Sequence, residues 1–395
     1  MPDELTTRPG PGGGPAPDVQ PSASPAAGLL APPLGPPRDP AASSGAPGGH
    51  RFRPAALGIA LLVLLIGAVA GGGMFALEKS SVTWRPHVTS TASGWRLAGP
   101  HGLLIYDAAL SAGHLAWVSG PYTVVFDLDT GRSKLLGIAR HASADAPATV
   151  SGLYAAWLEE ADSGGPSIWT YRFSTSARRR LADTPGVVWA PALSGETLVW
   201  AGQPGGTGRA STTITVRDLS SGVDHIVAQG ASVTGPVVAD GPRVGWFVLG
   251  APAHYDVKDL ASGHFYSVDL LAGLTQADLM NVDLSGTTLV WRLRTANGSG
   301  EILLRDLTGG TTQPIASGSG LSGGSIDGDR VAWSQPAAAG TSIMCRRLSG
   351  GLPFVVATVP TGTVTDVLVS GETVAWVVES GPSGFSGIET ARLAQ

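Results

Sequence analysis

The sequence predicts an all-β fold, a seven-bladed β-propeller closed by an N-terminal strand and preceded by one transmembrane helix and a disordered tail. Three observations predict it. An apolar strand ending in tryptophan recurs seven times at blade spacing, an uncharged run of 24 residues precedes the repeats, and the stretch before that run is rich in proline. The predicted boundaries are residues 1–53 for the tail, 54–77 for the helix, 78–93 for a linker and 94–395 for the propeller.

The first fifty residues hold 13 of the 30 prolines and no Phe, Tyr or Trp, in runs such as Pro32-Pro33 and Pro36-Pro37. Such a segment buries too little apolar surface to offset its ordering entropy. It reads as a solvated, partly polyproline tail, with docking of its prolines onto a partner groove as the alternative. Pro54 to Leu77 follows without a charge, around the core LGIALLVLLIGAVA from Leu57. At about 1.5 Å per residue the run spans a hydrocarbon core of about 30 Å. A cleaved signal peptide and a buried soluble helix are the other readings, but fifty residues far exceed a signal n-region. Arg53 abuts the run with Arg51 just before it and Arg38 farther back, and Lys79, Arg85 and Arg96 follow on the other side. The arginine pair beside the run places the tail inside and the C-terminal domain outside the cytoplasm.

The repeats read SAGHLAW to Trp117, SGLYAAW to Trp157, SGETLVW to Trp200, DGPRVGW to Trp246, SGTTLVW to Trp291, DGDRVAW to Trp333 and SGETVAW to Trp376. Their spacings of 40, 43, 46, 45, 42 and 43 residues suit a four-stranded blade. Alternation in Leu198-Val199-Trp200 puts Leu and Trp on one face and a smaller residue on the other. Stacked radially, the large face of one sheet meets the small face of the next, and Trp fills the widening gap. The Ser-Gly or Asp-Gly five or six residues earlier is a tight turn in which Gly supplies a positive φ.

A third strand with its own turn follows in VVFDLDTG, ITVRDLSSG, YDVKDLASG and ILLRDLTGG. Asp127, Asp218, Asp259 and Asp306 recur at one position there, where a carboxylate accepts hydrogen bonds from turn amides. Arg172, Arg347 and Arg392 replace them in the other copies, which excludes a repeated metal shell. The last repeat shows only three strands, and Trp95 to Ala98 has the character of a fourth. Antiparallel pairing of that strand with Ile388 to Leu393 closes the ring and leaves no bare edge in either.

These residues, a Ser/Asp-Gly turn, an apolar strand ending in an aromatic and a DLxxG turn, resemble the TolB-like family of propeller repeats in bacterial envelope proteins. The resemblance covers Gly94 to Gln395. It implies a propeller of the cell envelope, and in TolB itself a soluble periplasmic partner of a peptidoglycan-associated lipoprotein. This chain differs in lacking a Pro before the Asp-Gly, in using Trp where Phe or Tyr is frequent, and in its apolar run.

Composition narrows the functional classes. A net charge of −5, with no basic run of five residues, provides no footprint for nucleic acid, whose affinity comes largely from phosphate neutralisation. A single cysteine, Cys345, permits no intramolecular disulfide and no cysteine-built zinc site. The eight histidines are scattered, so no metal or cofactor is expected. GSGLSGG from Gly318 matches both a dinucleotide glycine pattern and G-x-S-x-G around Ser322, but no helix follows it, and it reads as an interblade connection.

Residues outside the repeat pattern are the better binding candidates, because packing does not dictate them. On the rim of interblade and second-to-third-strand loops we expect Arg140, His141 and Asp145; Glu159, Glu160 and Asp162; Trp189; Asp278; and Arg292 with Arg294. No catalytic residue is expected. The innermost strands carry few acids at their starts, Asp107, Asp283 and Asp366, a thin basis for acid-base chemistry. The expected function is therefore a non-catalytic, single-pass membrane protein whose propeller, outside the cytoplasm, binds an envelope protein or polysaccharide. The alternatives are a ligand sensor signalling through the tail, and a hydrolase or lyase with its site in the channel.

Overall fold

The computed structural model describes residues 86–393 except 100–102, 104, 139–147, 162–164, 182–188, 204–210, 251, 271–278, 295–298 and 381–384. The expected tail, the apolar run and the first half of the expected linker lie outside these residues. Among the described residues no helix is long and apolar enough to cross a membrane.

Seven antiparallel sheets form the blades of the propeller. The described chain opens with two short strands, β1 (His87–Ser90) and β2 (Trp95–Ala98), which belong to the last blade. Blade 1 is β3 (Ile105–Ser111), β4 (His114–Ser119), β5 (Tyr122–Asp127) and β6 (Arg132–Ile138). Blade 2 is β7 (Thr149–Val150), β8 (Tyr154–Ala161), β9 (Gly165–Arg172) and β10 (Ala177–Arg180). Blade 3 is β11 (Ala192–Ser194), β12 (Thr197–Gly202), β13 (Thr212–Asp218) and β14 (Asp224–Gly230). Blade 4 is β15 (Val233–Asp240), β16 (Arg243–Val248), β17 (His254–Asp259) and β18 (Phe265–Asp269). Blade 5 is β19 (Leu279–Ser285), β20 (Thr288–Arg294), β21 (Ser299–Asp306) and β22 (Gln313–Ser319). Blade 6 is β23 (Ser322–Asp327), β24 (Arg330–Ala337), β25 (Gly340–Arg347) and β26 (Phe354–Val359). Blade 7 takes β27 (Thr363–Ser370), β28 (Thr373–Ser380) and β29 (Phe385–Arg392) from the C-terminal end and β2 and β1 from the other.

The core lies between blades, as the face alternation requires. Leu115 and Trp117 of blade 1 pack on Ala375 and Val377 of blade 7, while Ala116 and Val118 on the other face receive Trp157 of blade 2. The same offset repeats around the ring. Trp200 meets Ala156 and Ile168, Trp333 meets Val290 and Ile302, and Trp376 meets Ala332 and Cys345. All seven repeat tryptophans are buried.

Ring closure has the expected partners and direction. Arg96 pairs with Glu389, Leu97 with Ile388 and Ala98 with Gly387. Two features add to it. β1, within the stretch assigned to the linker, pairs with β2 from His87↔Ala98 to Ser90↔Trp95, so blade 7 has five strands and β1 takes the outer edge. Trp95 also reaches blade 1, where its Nε1 donates to the Leu128 carbonyl at 2.9 Å and its ring meets Phe126 edge-on. Gly131, at φ 66°, lies directly under that ring, where a Cβ would come within 2.7 Å of it. One further correction concerns GSGLSGG, which is not wholly a connection. Its Ser322 starts β23, the innermost strand of blade 6, and only Gly320 and Leu321 link the blades.

Candidate functional site

The seven innermost strands line a central cavity of about 290 Å³. Its walls are mainly small or aliphatic, such as Ala109, Val150, Ala239 and Leu368, and its acids are Asp240, Asp283, Asp327 and Asp366. Strand geometry explains the small side chains, since seven innermost strands converge on one axis and leave little room there.

In six of the seven repeat turns the Ser or Asp, at the end of an innermost strand or just after it, bonds to the next blade. Ser194 Oγ accepts from Gly241 N at 2.8 Å, Asp240 Oδ2 from Gly286 N at 2.6 Å, and Ser285 Oγ from Gly328 N at 2.9 Å. Asp327 accepts from Gly371 N, Ser370 Oγ from Ala112 N at 3.1 Å, and Ser151 Oγ donates to the Gly195 carbonyl at 2.9 Å. The sequence explains Gly in these turns, and Gly241 and Gly286 do take φ of 54° and 56°. The restriction to Ser or Asp beside it is the signal for the interblade bond, which the turn reading alone misses.

Asp283, one of the expected channel acids, is half-buried in the cavity wall and held on both oxygens. Its Oδ2 accepts from Ser325 Oγ and Ile326 N of blade 6, each at 2.9 Å, and its Oδ1 from Leu284 N. Desolvation by burial raises its pKa to about 6 against these hydrogen bonds, with a further push from Asp240. The same burial, with Asp283 nearby, pushes the Tyr255 phenol well above its usual range. Asp366 accepts from Val367 N at 2.8 Å and from Asn281 Nδ2 at 3.4 Å, which joins blade 7 to blade 5. The Asp107 side chain lies outside the described residues.

The structure disperses the expected rim residues that it describes. Glu159 sits in β8 and is buried, not in a loop. It accepts from Trp157 Nε1 at 2.8 Å and from Arg178 at 2.7 Å on both oxygens. Trp189 is half-buried, packs on Gly235, and donates from Nε1 to Thr234 Oγ1 at 2.9 Å, so it wedges blade 3 against blade 4. Arg292 lies within β20, donates to the Leu321 carbonyl at 2.7 Å, and has its pKa lowered by desolvation, against the pull of Asp366. Arg294 ends β20 exposed on the loop rim. Arg140, His141, Asp145, Asp162 and Asp278 lie outside the described residues, as does the side chain of Glu160. Ser322 Oγ bonds Ser334 Oγ at 2.8 Å and the Val364 carbonyl at 2.7 Å, an interblade role without a base. Among the described residues no three of His, Cys, Asp and Glu are placed to hold a metal ion.

The Asx turns hold as expected. Asp127, Asp218, Asp259 and Asp306 accept turn amides from Asp129 and Thr130, Ser220 and Ser221, Ala261 and Ser262, and Thr308. All four carboxyls lie below their usual range. In Asp127 burial opposes that shift. In Asp218, Asp259 and Asp306 the hydrogen bonds from Ser220, Ser262 and Thr308 lead it.

A second concavity, unmarked by any sequence motif, lies between blades 2 and 3. It measures about 200 Å³ and carries Arg172, Arg179 and Arg217 on its walls.

Fold and site together define the class, a seven-bladed β-propeller whose ring is closed by strands from both ends of the domain. The β-propeller domain of the Trilobed protease from Pyrococcus furiosus is similar, with TM-score 0.51 and 12% identity over 74% of this chain and 98% of that one. Pyrococcus horikoshii acylaminoacyl peptidase matches with TM-score 0.52 and 12% identity over 74% of this chain. The match takes in 52% of the peptidase, so this chain spans about half its length. TolB from Acinetobacter baumannii matches with TM-score 0.41 and 12% identity, over 78% of this chain and 80% of that one. At such identities the likeness is one of fold, and that fold is the propeller implied by the TolB-like resemblance. No protein-family model matches the chain, and no curated protein matches it.

Proposed function

We propose that the chain is a non-catalytic, membrane-anchored propeller that presents its loop rim, outside the cytoplasm, to a protein or polysaccharide of the cell envelope. The observation that carries this reading is how the channel acids are used. Asp240, Asp283 and Asp327 accept backbone amides of the following blade and act as struts. A general acid or base must exchange its proton with a substrate, and a carboxylate occupied by structural donors is poorly disposed to do so. The anchor rests on the apolar run from Pro54 to Leu77 and its orientation on Arg51 and Arg53.

The test uses the full chain in detergent against fractionated envelope proteins and purified polysaccharides. The expected outcome is saturable binding of one partner that survives Asp366→Asn and weakens with Arg294→Ala or Trp189→Ala. Substrate turnover that disappears with Asp366→Asn or Asp283→Asn, but persists in the rim variants, would replace this reading with a channel hydrolase or lyase.

A further inference from the structure

The groove between blades 2 and 3 has a composition that folding alone does not explain. Strand register builds one wall. Opposite residues of antiparallel strands share a face, and β9 and β10 pair Thr170 with Arg179 and Arg172 with Ala177. Arg172 and Arg179 therefore both face blade 3. The intervening Arg178 and Arg180 face blade 1, where Arg178 meets Glu159 and Arg180 meets Ser167. The opposite wall carries Arg217, whose guanidinium lies over the Trp200 ring at 5.9 Å and pairs with Asp224. Tyr154 and Thr175 complete the lining that matters.

Among the described residues no Asp or Glu lines this groove. Arg217 has its carboxylate, but Arg172 and Arg179 have none among the described residues. The Arg172 guanidinium rests over the Tyr154 ring at 5.6 Å, which fixes its plane without neutralising its charge. Three guanidiniums around one small cavity repel one another, and the effective dielectric of a partly walled site screens them less than bulk water does. Arginine forks are also the side chains best shaped for two-point contact with a carboxylate or phosphate.

We infer that the groove between blades 2 and 3 is a binding site for an oxyanion group, carboxylate or phosphate, of a small ligand, held by Arg172 and Arg179. Thr175 supplies a hydroxyl donor at its mouth and Arg217 the fixed positive charge of its far wall. The site uses none of the loop-rim residues and stands apart from the partner surface proposed above.

The test is calorimetric titration of the full chain with inorganic phosphate and, separately, with succinate, at constant ionic strength. One-to-one saturable binding of at least one anion is expected. Phosphate alone assigns the site to phosphoryl groups, and succinate alone to carboxylates. The Arg172→Gln/Arg179→Gln double variant should bind about tenfold or more weakly. Both side chains are exposed, so its melting temperature should stay near that of the parent. Arg132→Gln, on the outer strand of blade 1, controls for general surface charge and should bind as the parent does. Absence of saturable binding of either anion, or unchanged binding in the double variant, overturns the assignment.

Discussion

The repeat tryptophans fill one kind of wedge but differ in what their indole N–H meets. Trp157 donates to Glu159, Trp333 to Gln335 at 3.2 Å and Trp376 to Glu389 at 3.2 Å. The Nε1 atoms of Trp117 and Trp291 are buried with no acceptor among the described residues. Replacing Trp291 or Trp200 by Ala should cost about 3–5 kcal/mol in denaturant unfolding, the large-to-small core range. Trp189→Ala should cost less, since half-burial leaves less apolar surface to lose. Phe substitution separates packing from hydrogen bonding. Trp291→Phe removes an unpaired donor, whereas Trp157→Phe takes a partner from buried Glu159, so the second should be the more destabilising by about 1–3 kcal/mol.

Asp283 gives the ring a pH dependence, in the direction shared by Asp256, whose pKa burial also raises. Its pKa rises on folding from 3.8 to about 6, so between those values the folded state binds more protons than the unfolded state. Its contribution to stability is complete below 3.8 and falls away as pH rises to about 6, by about 3 kcal/mol in all. The Asx carboxyls act oppositely, because their lowered values support the fold above 3.8 and lose that support as pH falls further. Melting temperature measured from pH 4 to 7 should therefore decline in a step that Asp283→Asn flattens. A step of the same size in Asp283→Asn would assign it to another group.

At the scale of the element, ring closure concentrates its bonds in four residues. Beyond the strand ladder, Trp95 N donates to Thr390 Oγ1 at 2.8 Å and Arg96 Nε to Glu389 Oε1 at 2.7 Å. Trp95 Nε1 crosses to Leu128, so β2 ties blade 7 to blade 1 as well as completing its sheet. Truncation through Gly99 should lower the melting temperature and promote association through the bared edge of β29. Truncation through Ser80 should do neither. Removal through Ser90 isolates the effect of β1, and its cost should fall between the two, because only an outer strand with mostly exposed side chains is lost. Scanning calorimetry and light scattering of the three truncations measure this directly. Equal stability of all three would show that the ring holds without β2.

At the scale of the whole molecule, the membrane reading makes its own prediction. Protease added to intact cells or spheroplasts should digest the propeller and spare the tail. A propeller protected in intact cells but cut after lysis would reverse the orientation. The anion site adds an independent measurement, because phosphate or succinate binding should respond to Arg172 and Arg179 whichever side of a membrane the propeller occupies.

Blade number, blade spacing, the buried tryptophan face and the closing strand were legible in the sequence because a propeller repeats one packing problem. Seven copies of an apolar-x-Trp alternation, Leu or Val in six of them and Ala155 in the second, state the same face assignment seven times. The Asx turns were legible for a local reason, since an aspartate two or three residues before the amides it caps needs no tertiary partner. The candidate site was much less legible. Glu159 and Arg292 depart from the repeat and so looked free, yet each is taken up by a partner far along the chain, Arg178 and Leu321 respectively.

What the sequence determined by itself is therefore periodic or local: strand faces, turns, blade count and the need for a closing strand. What only the tertiary structure decided is which side chains meet between blades. The Ser/Asp struts, the bonds of Asp283 to blade 6, the reach of Trp95 to blade 1 and the approach of Arg217 to Arg172 and Arg179 all join residues about 30 or more positions apart. The physical reason is geometric. A repeat specifies contacts within its own sheet and the kind of face it offers its neighbour, but the depth, tilt and lateral offset of stacked blades emerge only when all seven close into one ring.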